Sequence, residues 1–348
     1  KACFGADGIL SKNKHNNVAI FIPHNGCKNQ CSFCNQVTIT GQSKQPTIKE
    51  VKTILDEAYE DLSSRGMTAE IAYFGGSFTA IDKNYMLDLL NVASSFLGRG
   101  TFSGIRLSTR PDAIDKDILY ILKQSGVTAI ELGCQSMDDK VLLLNKRGHT
   151  VKDILKASYM IKNEGFSLGH QMMTGLYGSN EEVDFLTARH IAEVGPDTVR
   201  IYPTVVMRGT LLESLYVNGK YNPPNTKESI TLCSKLLLFF EEKNINVIRL
   251  GLHDSEELRK DMIAGAFHPA FRELCESEIY FNKAMKFIKS KKDFPGNSVY
   301  YIHINPLDIS KMIGQKRINI KNFNNSGIKV KIVSDEEIAV KNVLVICK

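Results

Sequence analysis

The chain has 348 residues, which exceeds one ordinary domain and predicts a large core with an appendage. Hydrophobic residues make up 43% and charged residues 24%, which is typical of a soluble globular protein, and the absence of any run of about 18 apolar residues excludes a membrane-spanning helix. Eight scattered cysteines exclude a disulfide framework and indicate a reducing cytoplasm. The net charge of +6 is unevenly distributed, because residues 281–348 alone carry +8.

Short β-rich runs alternate along the chain with longer segments of helical periodicity, a pattern that indicates βαβ units and a parallel sheet. Six strands are predicted, at Val18–Pro23, Ala69–Phe74, Gly104–Thr109, Val127–Leu132, Gly165–His170 and Asp197–Tyr202. The helices predicted between them are Thr47–Arg65, Lys83–Phe96, Lys116–Ser125, Thr150–Asn163 and Glu181–Glu193. We therefore predict the α/β class, as a partial (β/α)6 barrel of the TIM type.

A helix at Thr226–Lys243 and a strand at Asn246–Leu250 are expected to close the core. The predicted domains are a barrel over residues 1–253, a helical connector over 254–297, and a small basic α/β domain over 298–348. In barrels of this kind the chemistry lies on the loops that follow the strands.

Three cysteines follow the first strand. Cys27, Cys31 and Cys34 have the spacing C-x-x-x-C-x-x-C. Because iron-sulfur clusters are held by Cys sulfur and a full set would need four, three thiolates predict a 4Fe-4S cluster with one open iron. The alternatives are a structural thiol cluster and a zinc site, which would need a fourth ligand such as His24.

The spacing resembles that of the radical SAM superfamily, with Phe33 in the aromatic position before the last cysteine. The resemblance implies that S-adenosylmethionine (SAM) binds the open iron, and that an electron from the cluster starts radical chemistry. After the second strand, Gly75-Gly76-Ser77 occupies the place of the superfamily loop that receives the SAM amino group. Paired glycines let the backbone approach a ligand closely.

Four further strings follow in order, and they resemble the radical SAM domain of the Elongator catalytic subunit and its bacterial relatives over roughly residues 18–250. They are Ser108-Thr-Arg-Pro-Asp112, Glu131-Leu-Gly-Cys-Gln-Ser136, Asn145-Lys-Arg-Gly-His-Thr150 and Tyr202-Pro-Thr-Val-Val-Met-Arg-Gly-Thr210. The resemblance implies that Gln135 and Arg147 contact the SAM ribose and carboxylate. Ser108 lies where the similar coproporphyrinogen oxidases have an acidic SAM contact.

Four histidines are left without a definite role. His149 and His170 are expected at the catalytic end of the barrel, either as structural side chains or as contacts to SAM or substrate. No role is predicted for His253 or His268. Elongator catalytic subunits continue into an acetyltransferase-like domain, whereas this chain ends at Lys348. We therefore expect a short bacterial form to which their reaction does not carry over.

The basic C-terminal segment resembles a KH domain, in which a Gly-x-x-Gly loop between two helices clamps a nucleic acid backbone. A strand at Ser298–Ile304, two helical stretches and a strand at Gly327–Val333 give the order, and Arg317 replaces the second glycine. The residues predicted to bind RNA are Lys311, Gly314, Lys316, Arg317 and Lys321. The alternative is a structural α/β cap with a solvated lysine-rich surface.

The first hypothesis is a radical SAM enzyme that modifies RNA, with tRNA as the expected substrate and flavodoxin or ferredoxin as the electron donor. The second keeps the radical chemistry and moves it to a small molecule, as in coproporphyrinogen oxidase. The third is a non-catalytic RNA-binding protein with a relic barrel.

Overall fold

The computed structural model describes residues 16–23, 31–35, 44–290 and 298–347. Cys27 and His24 lie outside the described residues. Seven parallel strands form the main sheet of this part of the chain, in the order β1-β2-β3-β4-β5-β6-β8. They are β1 (Asn17–Ile22), β2 (Ala69–Gly75), β3 (Phe102–Thr109), β4 (Val127–Gln135), β5 (Ser167–Thr174), β6 (Thr198–Pro203) and β8 (Asn246–Leu250). The predicted partial barrel is confirmed.

Helices cover one face of this sheet. In chain order the first eight are α1 (Ile48–Ser64), α2 (Lys83–Ser94), α3 (Lys116–Gln124), α4 (Asp139–Leu144), α5 (Val151–Asn163), α6 (Glu181–Val194), α7 (Leu211–Val217) and α8 (Thr226–Glu242). Three of the predicted helices begin with a capping box, those at Thr47, Thr150 and Asn225. Thr47 Oγ1 accepts from Glu50 N while Glu50 Oε2 accepts from Thr47 N, and Thr150 and Asp153 repeat the arrangement. A capping box satisfies otherwise unpaired donors of the first helical turn.

Alternation along each strand separates a helix-facing side from a barrel interior. Tyr73 donates from its hydroxyl to Leu89 O on α2 at 2.7 Å, so the odd-numbered residues of β2 face the helices. The intervening Glu70 and Phe74 then face the interior. The helix-facing residues of the strands form the main hydrophobic core together with the apolar sides of the helices.

His170 on β5 faces the helix layer. Its Nε2 lies 2.8 Å from Ser158 Oγ on α5, and the side chain is fully buried. This position supports the structural alternative for His170. Burial lowers its pKa to about 3, so the folded protein holds a neutral imidazole.

We expect His170 to make stability depend on pH. Its pKa falls from 6.5 in the unfolded chain to about 3 in the fold, so only the unfolded chain takes up the proton in between. The contribution of the neutral His170 to the free energy of unfolding is complete above pH 6.5. It falls by about 1.4 kcal/mol per pH unit as the pH decreases toward 3. Urea unfolding at pH 7 and pH 5.5 should show wild type losing about 1 kcal/mol relative to His170→Gln. Parallel pH profiles would contradict this. Asp184, whose pKa burial raises to about 6, titrates equally in both proteins and cancels in the comparison.

A second sheet lies outside the barrel. β7 (Val205–Met207) pairs antiparallel with β9 (Met262–Gly265), which follows the short helix α9 (Glu256–Asp261). A strand therefore interrupts the segment 254–297, which was predicted as a mainly helical connector. Val205 and Met207 pack with Leu258, so the strand pair closes a small apolar cluster.

The C-terminal segment forms a three-stranded sheet in the order β11-β10-β12. The strands are β10 (Val299–Ile304), β11 (Lys329–Ser334) and β12 (Val343–Cys347), and the helices on this sheet are α10 (Phe271–Ser290), α11 (Ile309–Ile313) and α12 (Ile318–Asn325). The predicted order strand, helix, helix, strand is found, followed by β12. The first half of α10 packs in the barrel core and its second half packs under this sheet. The domain limits at 253 and 297 stay a prediction. No helix of the described residues is long and apolar enough to cross a membrane.

Candidate active site

The segment that carries two of the three motif cysteines is fixed by two loops at the carboxyl ends of the strands. Ser32 N donates to Asn145 O at 3.1 Å, and Ser32 Oγ donates to Asn145 Oδ1 at 2.6 Å. Asn145 is fully buried and its amide donates in turn to Tyr177 O at 2.9 Å. The string that begins at Asn145 thus holds the cysteine segment from one side.

The second loop, which contains Arg208, and the first turn of α7 contact the same cysteine segment. Asn35 Nδ2 donates to Arg208 O at 2.9 Å, and Leu212 N donates to Ser32 O at 2.9 Å. Two strings that the sequence placed together only by resemblance therefore meet at the cysteines. Cys27 lies outside the described residues, so the structure places Cys31 and Cys34 alone.

Arg147 contacts one of these cysteines directly. Its Nη1 lies 3.1 Å from Cys31 Sγ, and its Nη2 donates to Gly133 O at 2.6 Å. The guanidinium carbon lies 5.9 Å from the centre of the Phe33 ring, which is within the range of a cation–π contact. Arg147 is only 7% exposed and Cys31 only 6%. The predicted residues Phe33 and Arg147 are thus brought together around Cys31.

The Gly-Gly loop lies against the end of β1, where the cysteine segment begins. Gly76 N donates to Ile22 O at 2.8 Å. Gly75 has φ +109°, and a Cβ there would lie 2.9 Å from Ile22 O. A side chain at Gly75 would therefore strain the backbone and require Ile22 to shift. Ser77 turns toward β3, where its Oγ lies 3.0 Å from Thr109 Oγ1 and accepts from Arg110 N at 2.9 Å.

Gln135 ends β4 in the left-handed region, at φ +68°. A Cβ at Gly133 would lie 3.1 Å from Gln135 Nε2 and 3.3 Å from Arg147 Nη2, so glycine leaves room for both side chains. Gln135 Oε1 and Arg147 Nε are buried without a hydrogen-bond partner in the described part of the chain. Buried polar atoms of this kind need an explanation, and a bound ligand supplies one. Ser108, paired in register with Glu131, is half-buried on the interior face.

A buried ionic network crosses the barrel interior, and sequence reasoning missed it. Arg200 Nε and Nη2 donate to the Glu131 carboxylate at 2.6 and 2.9 Å, and Arg106 Nη1 lies 3.3 Å from Glu131 Oε1. Arg106 Nε also donates to Glu70 at 2.7 Å, and Gln171 donates to Glu131 at 2.9 Å. The charged residues within otherwise apolar strands are the sequence signal from which this network could have been predicted. Burial alone would raise the pKa of Glu131, but the two arginines outweigh it and the pKa lies below its usual value.

His149 lies two residues after Arg147 in the same loop. Its side chain is fully buried, and its Nδ1 is 3.9 Å from Asp112 Oδ1. Burial and then the charge of Arg147 lower its pKa to about 4, which keeps the imidazole neutral at pH 7. Arg249 Nη2 approaches His253 Nδ1 at 3.5 Å, and His268 Nδ1 accepts from Ala270 N at 3.0 Å. These contacts give His253 and His268 local structural partners.

The predicted RNA loop connects α11 to α12. Gly314 has φ +74°, and a Cβ there would lie 2.5 Å from Ser277 Oγ. Lys316 and Arg317 are exposed at φ +51° and +61°, so Arg317 keeps the left-handed backbone that the replaced glycine would favour. Lys321 is also exposed.

Lys311 differs from the other predicted RNA contacts. Its Nζ lies 3.3 Å from Glu276 Oε2 and 3.5 Å from Asp308 Oδ1. Two carboxylates thus neutralise Lys311, and the loop charge rests on the other three basic residues.

Comparison with known families agrees with this geometry. Residues 21–187 match the Radical SAM superfamily, and residues 196–280 match the Radical_SAM C-terminal domain. These two matches identify a radical SAM domain followed by its C-terminal domain, which together span most of residues 21–280 and make the chain an enzyme of the radical SAM superfamily type. The cofactors of this superfamily are a 4Fe-4S cluster and SAM.

Within the superfamily the chain is similar to tRNA uridine(34) acetyltransferases and to Elongator proteins. It is 30% identical over 242 residues to a tRNA uridine(34) acetyltransferase of Dehalococcoides mccartyi (strain CBDB1), a match that covers 60% of this chain and 53% of the relative. It is 33% identical over 137 residues to Elongator complex protein 3 of Homo sapiens, which covers 38% of this chain and 25% of the relative. The chain thus spans about half or less of the length of these curated relatives.

A solved structure shows the same fold. It is the archaeal Methanocaldococcus infernus Elp3 with an N-terminal deletion, and it matches with a TM-score of 0.58 at 21% identity. The match covers 79% of this chain and 63% of that one.

The described residues fit the two cofactors of the superfamily. Cys31 and Cys34 supply sulfur, which is the ligand atom that iron-sulfur clusters take, and a buried arginine donates to one of them. The unpartnered Gln135 Oε1 and Arg147 Nε lie at the same place and suit the polar groups of SAM. The other cysteines of the barrel behave as core residues: Cys134, Cys233 and Cys275 are fully buried, and burial raises their pKa values.

Proposed function

We propose that this protein holds a 4Fe-4S cluster with Cys27, Cys31 and Cys34 and uses SAM to modify RNA, with tRNA as the substrate. The observation that carries the proposal is the anchoring of Ser32 and Asn35 by the loops at Asn145 and Arg208. The first of these loops also brings the buried donor Arg147 to Cys31, beside the acceptor Gln135 Oε1 at the end of β4. Such an arrangement suits a cofactor that binds where several strands end.

Seven residues are proposed to bind SAM around the cluster: Phe33, Gly75, Gly76, Ser77, Ser108, Gln135 and Arg147. When bound, the reduced cluster would supply the electron that cleaves SAM into methionine and a 5′-deoxyadenosyl radical. The backbone at Gly75 and Gly76 would receive the amino group, since no side chain obstructs it there. Gln135 and Arg147 would orient the ribose and the carboxylate.

The barrel interior would orient the substrate and exclude water. The ionic network of Arg106, Glu131 and Arg200 lies on β3, β4 and β6, three or four residues before the carboxyl ends of these strands. Because these charges already pair with one another, we assign none of them to the substrate, which would enter from the loop end of the barrel. The neutral imidazole of His149 adds no charge beside Arg147.

The proposal of an RNA substrate has two independent supports. Two relatives that match the chain over 242 and 186 residues are tRNA uridine(34) acetyltransferases by name. The C-terminal segment carries the charge excess and displays Lys316, Arg317 and Lys321 on an exposed loop and helix. We propose a cytoplasmic protein, since a reduced cluster needs a reducing compartment, and flavodoxin or ferredoxin as its electron donor.

Removing the loop charges should weaken RNA binding. We expect wild type to bind bulk tRNA at low salt with an affinity that falls as salt rises, because cations that neutralise phosphates release counterions. The double variant Lys316→Gln/Arg317→Gln should reduce the slope of log affinity against log salt by about 1 to 2. Filter binding over a salt series measures this slope.

The matched control removes one lysine and one arginine elsewhere. Lys52→Gln/Arg65→Gln takes the same charge from α1 and from the residue that caps its C-terminal end. Both side chains are about 60% exposed, and this variant should leave the slope unchanged. Equal slopes for the two double variants would refute the loop as the RNA contact. A wild-type protein without salt-dependent tRNA affinity would favour a small-molecule substrate.

A further inference from the structure

Arg147 has a second relation to the cluster site, besides the SAM contact implied by resemblance. Two of its three guanidinium nitrogens are already engaged within the protein: Nη1 with Cys31 Sγ at 3.1 Å and Nη2 with Gly133 O at 2.6 Å. Nε is the nitrogen that stays unpartnered among the described residues. A thiol that is itself a predicted iron ligand therefore receives a charged donor from the protein.

The position of Arg147 is fixed from outside the cysteine segment. Its carbonyl oxygen accepts from Arg110 Nη2 at 2.7 Å, and Arg110 is held by a bidentate pair with Asp112 at 2.8 and 3.0 Å. The neighbouring Asn145 anchors Ser32 by two hydrogen bonds. The loop at residues 145–147 thus contacts two consecutive residues of the cysteine segment. Asn145 bonds the backbone and the side chain of Ser32, and Arg147 bonds the side chain of Cys31.

A donor in this place acts on the cluster electrostatically. Reduction adds a negative charge that is shared with the ligand sulfurs, and a hydrogen bond from a cation stabilises that charge more in the reduced state than in the oxidised one. Both groups are more than nine-tenths buried, so water screens the interaction little. The contact should therefore make the cluster easier to reduce.

We propose that Arg147 is a positioning residue that raises the reduction potential of the cluster through its hydrogen bond to Cys31. The inference rests on the proposed cluster function. It assigns to Arg147 control over whether the electron donor can reduce the cluster, apart from any contact with SAM.

The test is an anaerobic redox titration of reconstituted protein without SAM, with the reduced cluster measured by electron paramagnetic resonance. At a fixed applied potential near the wild-type midpoint, the ratio of reduced to oxidised cluster should be about tenfold lower in Arg147→Gln than in wild type. This corresponds to a midpoint about 59 mV lower for one electron. Arg147→Lys, whose single ammonium nitrogen replaces the two nitrogens that contact Cys31 and Gly133, should shift the midpoint in the same direction by less. Arg65→Gln, at the exposed C-terminal cap of α1, should not shift the midpoint.

An unchanged midpoint in Arg147→Gln at full iron content would overturn the proposal. Should that variant take up no cluster, Arg147→Lys decides, and a wild-type midpoint there would overturn it equally. These results are separate from the proposed function itself. If wild type took up no cluster, the proposed function would fail, whereas a loaded wild type with insensitive Arg147 variants defeats only this inference.

Discussion

The Cys31→Ser and Cys34→Ser proteins, reconstituted anaerobically with iron and sulfide, are expected to lack the absorbance at about 400 nm that marks thiolate-ligated clusters. Serine replaces the ligand sulfur with an oxygen that such clusters do not favour, and two remaining thiolates cannot hold the cluster in place. Cys27→Ser should behave in the same way. The serine hydroxyl has nearly the size of the thiol, so the fold should persist, as circular dichroism would show.

The matched control is Cys347→Ser. Cys347 is a half-buried free cysteine at the end of β12, in the C-terminal sheet. This variant should take up as much iron as wild type. Full cluster absorbance in both Cys31→Ser and Cys34→Ser would show that the motif does not bind the cluster, and loss of absorbance in Cys347→Ser would show that the assay reports damage rather than ligation.

The second large effect is expected from Glu131→Gln. The amide keeps the size of the side chain but removes the charge that pairs with Arg200 at 2.6 and 2.9 Å in the buried interior. Arg106 keeps Glu70, whereas Arg200 loses its carboxylate partner in the network. Leaving a buried cation unpaired costs about 3 to 5 kcal/mol. Because the chain has no tryptophan, urea unfolding followed by circular dichroism is the suitable measurement.

The control makes the same chemical change at an exposed pair. Asp56→Asn removes the carboxylate that Lys52 contacts one turn along α1, where the two side chains are 47% and 61% exposed. Exposed pairs of this kind contribute about 0 to 1 kcal/mol. If Glu131→Gln lowered the free energy of unfolding no more than Asp56→Asn does, the network would not be a buried, mutually dependent unit.

The architecture was accessible from the sequence because strand and helix signals were strong and locally punctuated. Asn246–Leu250 was predicted as a strand and is found with the same limits. The fifth strand was predicted from Gly165 but begins at Ser167, because Gly165 takes φ +81° in the turn that closes α5. A glycine read as part of a β-rich run was in fact the end of the preceding helix.

Among the parts of the fold that were not predicted are two whose structure depends on tertiary contacts. β7 and β9 are each only three or four residues long and form a sheet with each other across more than fifty residues of chain. The short helix α4 likewise gave too few turns to show a helical period. Segments of this length have weak local preferences, and tertiary contacts decide their structure.

For the site, the chemistry could be predicted from the sequence more fully than the side-chain contacts could. Motif spacing and order pointed to Cys31, Phe33 and Arg147, and the structure places these three side chains together. It could not show that Arg147 donates to Cys31, since that depends on how the loop after α4 folds back. Nor could it show that Lys311 is neutralised by Glu276, because the acid lies on α10, 35 residues earlier in the chain.

The most direct test of the central claim is the formation of 5′-deoxyadenosine. Anaerobically reconstituted wild type is mixed with SAM, dithionite and bulk tRNA, and the nucleoside is quantified by mass spectrometry against Cys31→Ser. We predict 5′-deoxyadenosine from wild type only, in an amount that rises when tRNA is present. Wild-type protein with a complete cluster that yields no more 5′-deoxyadenosine than Cys31→Ser would contradict the account.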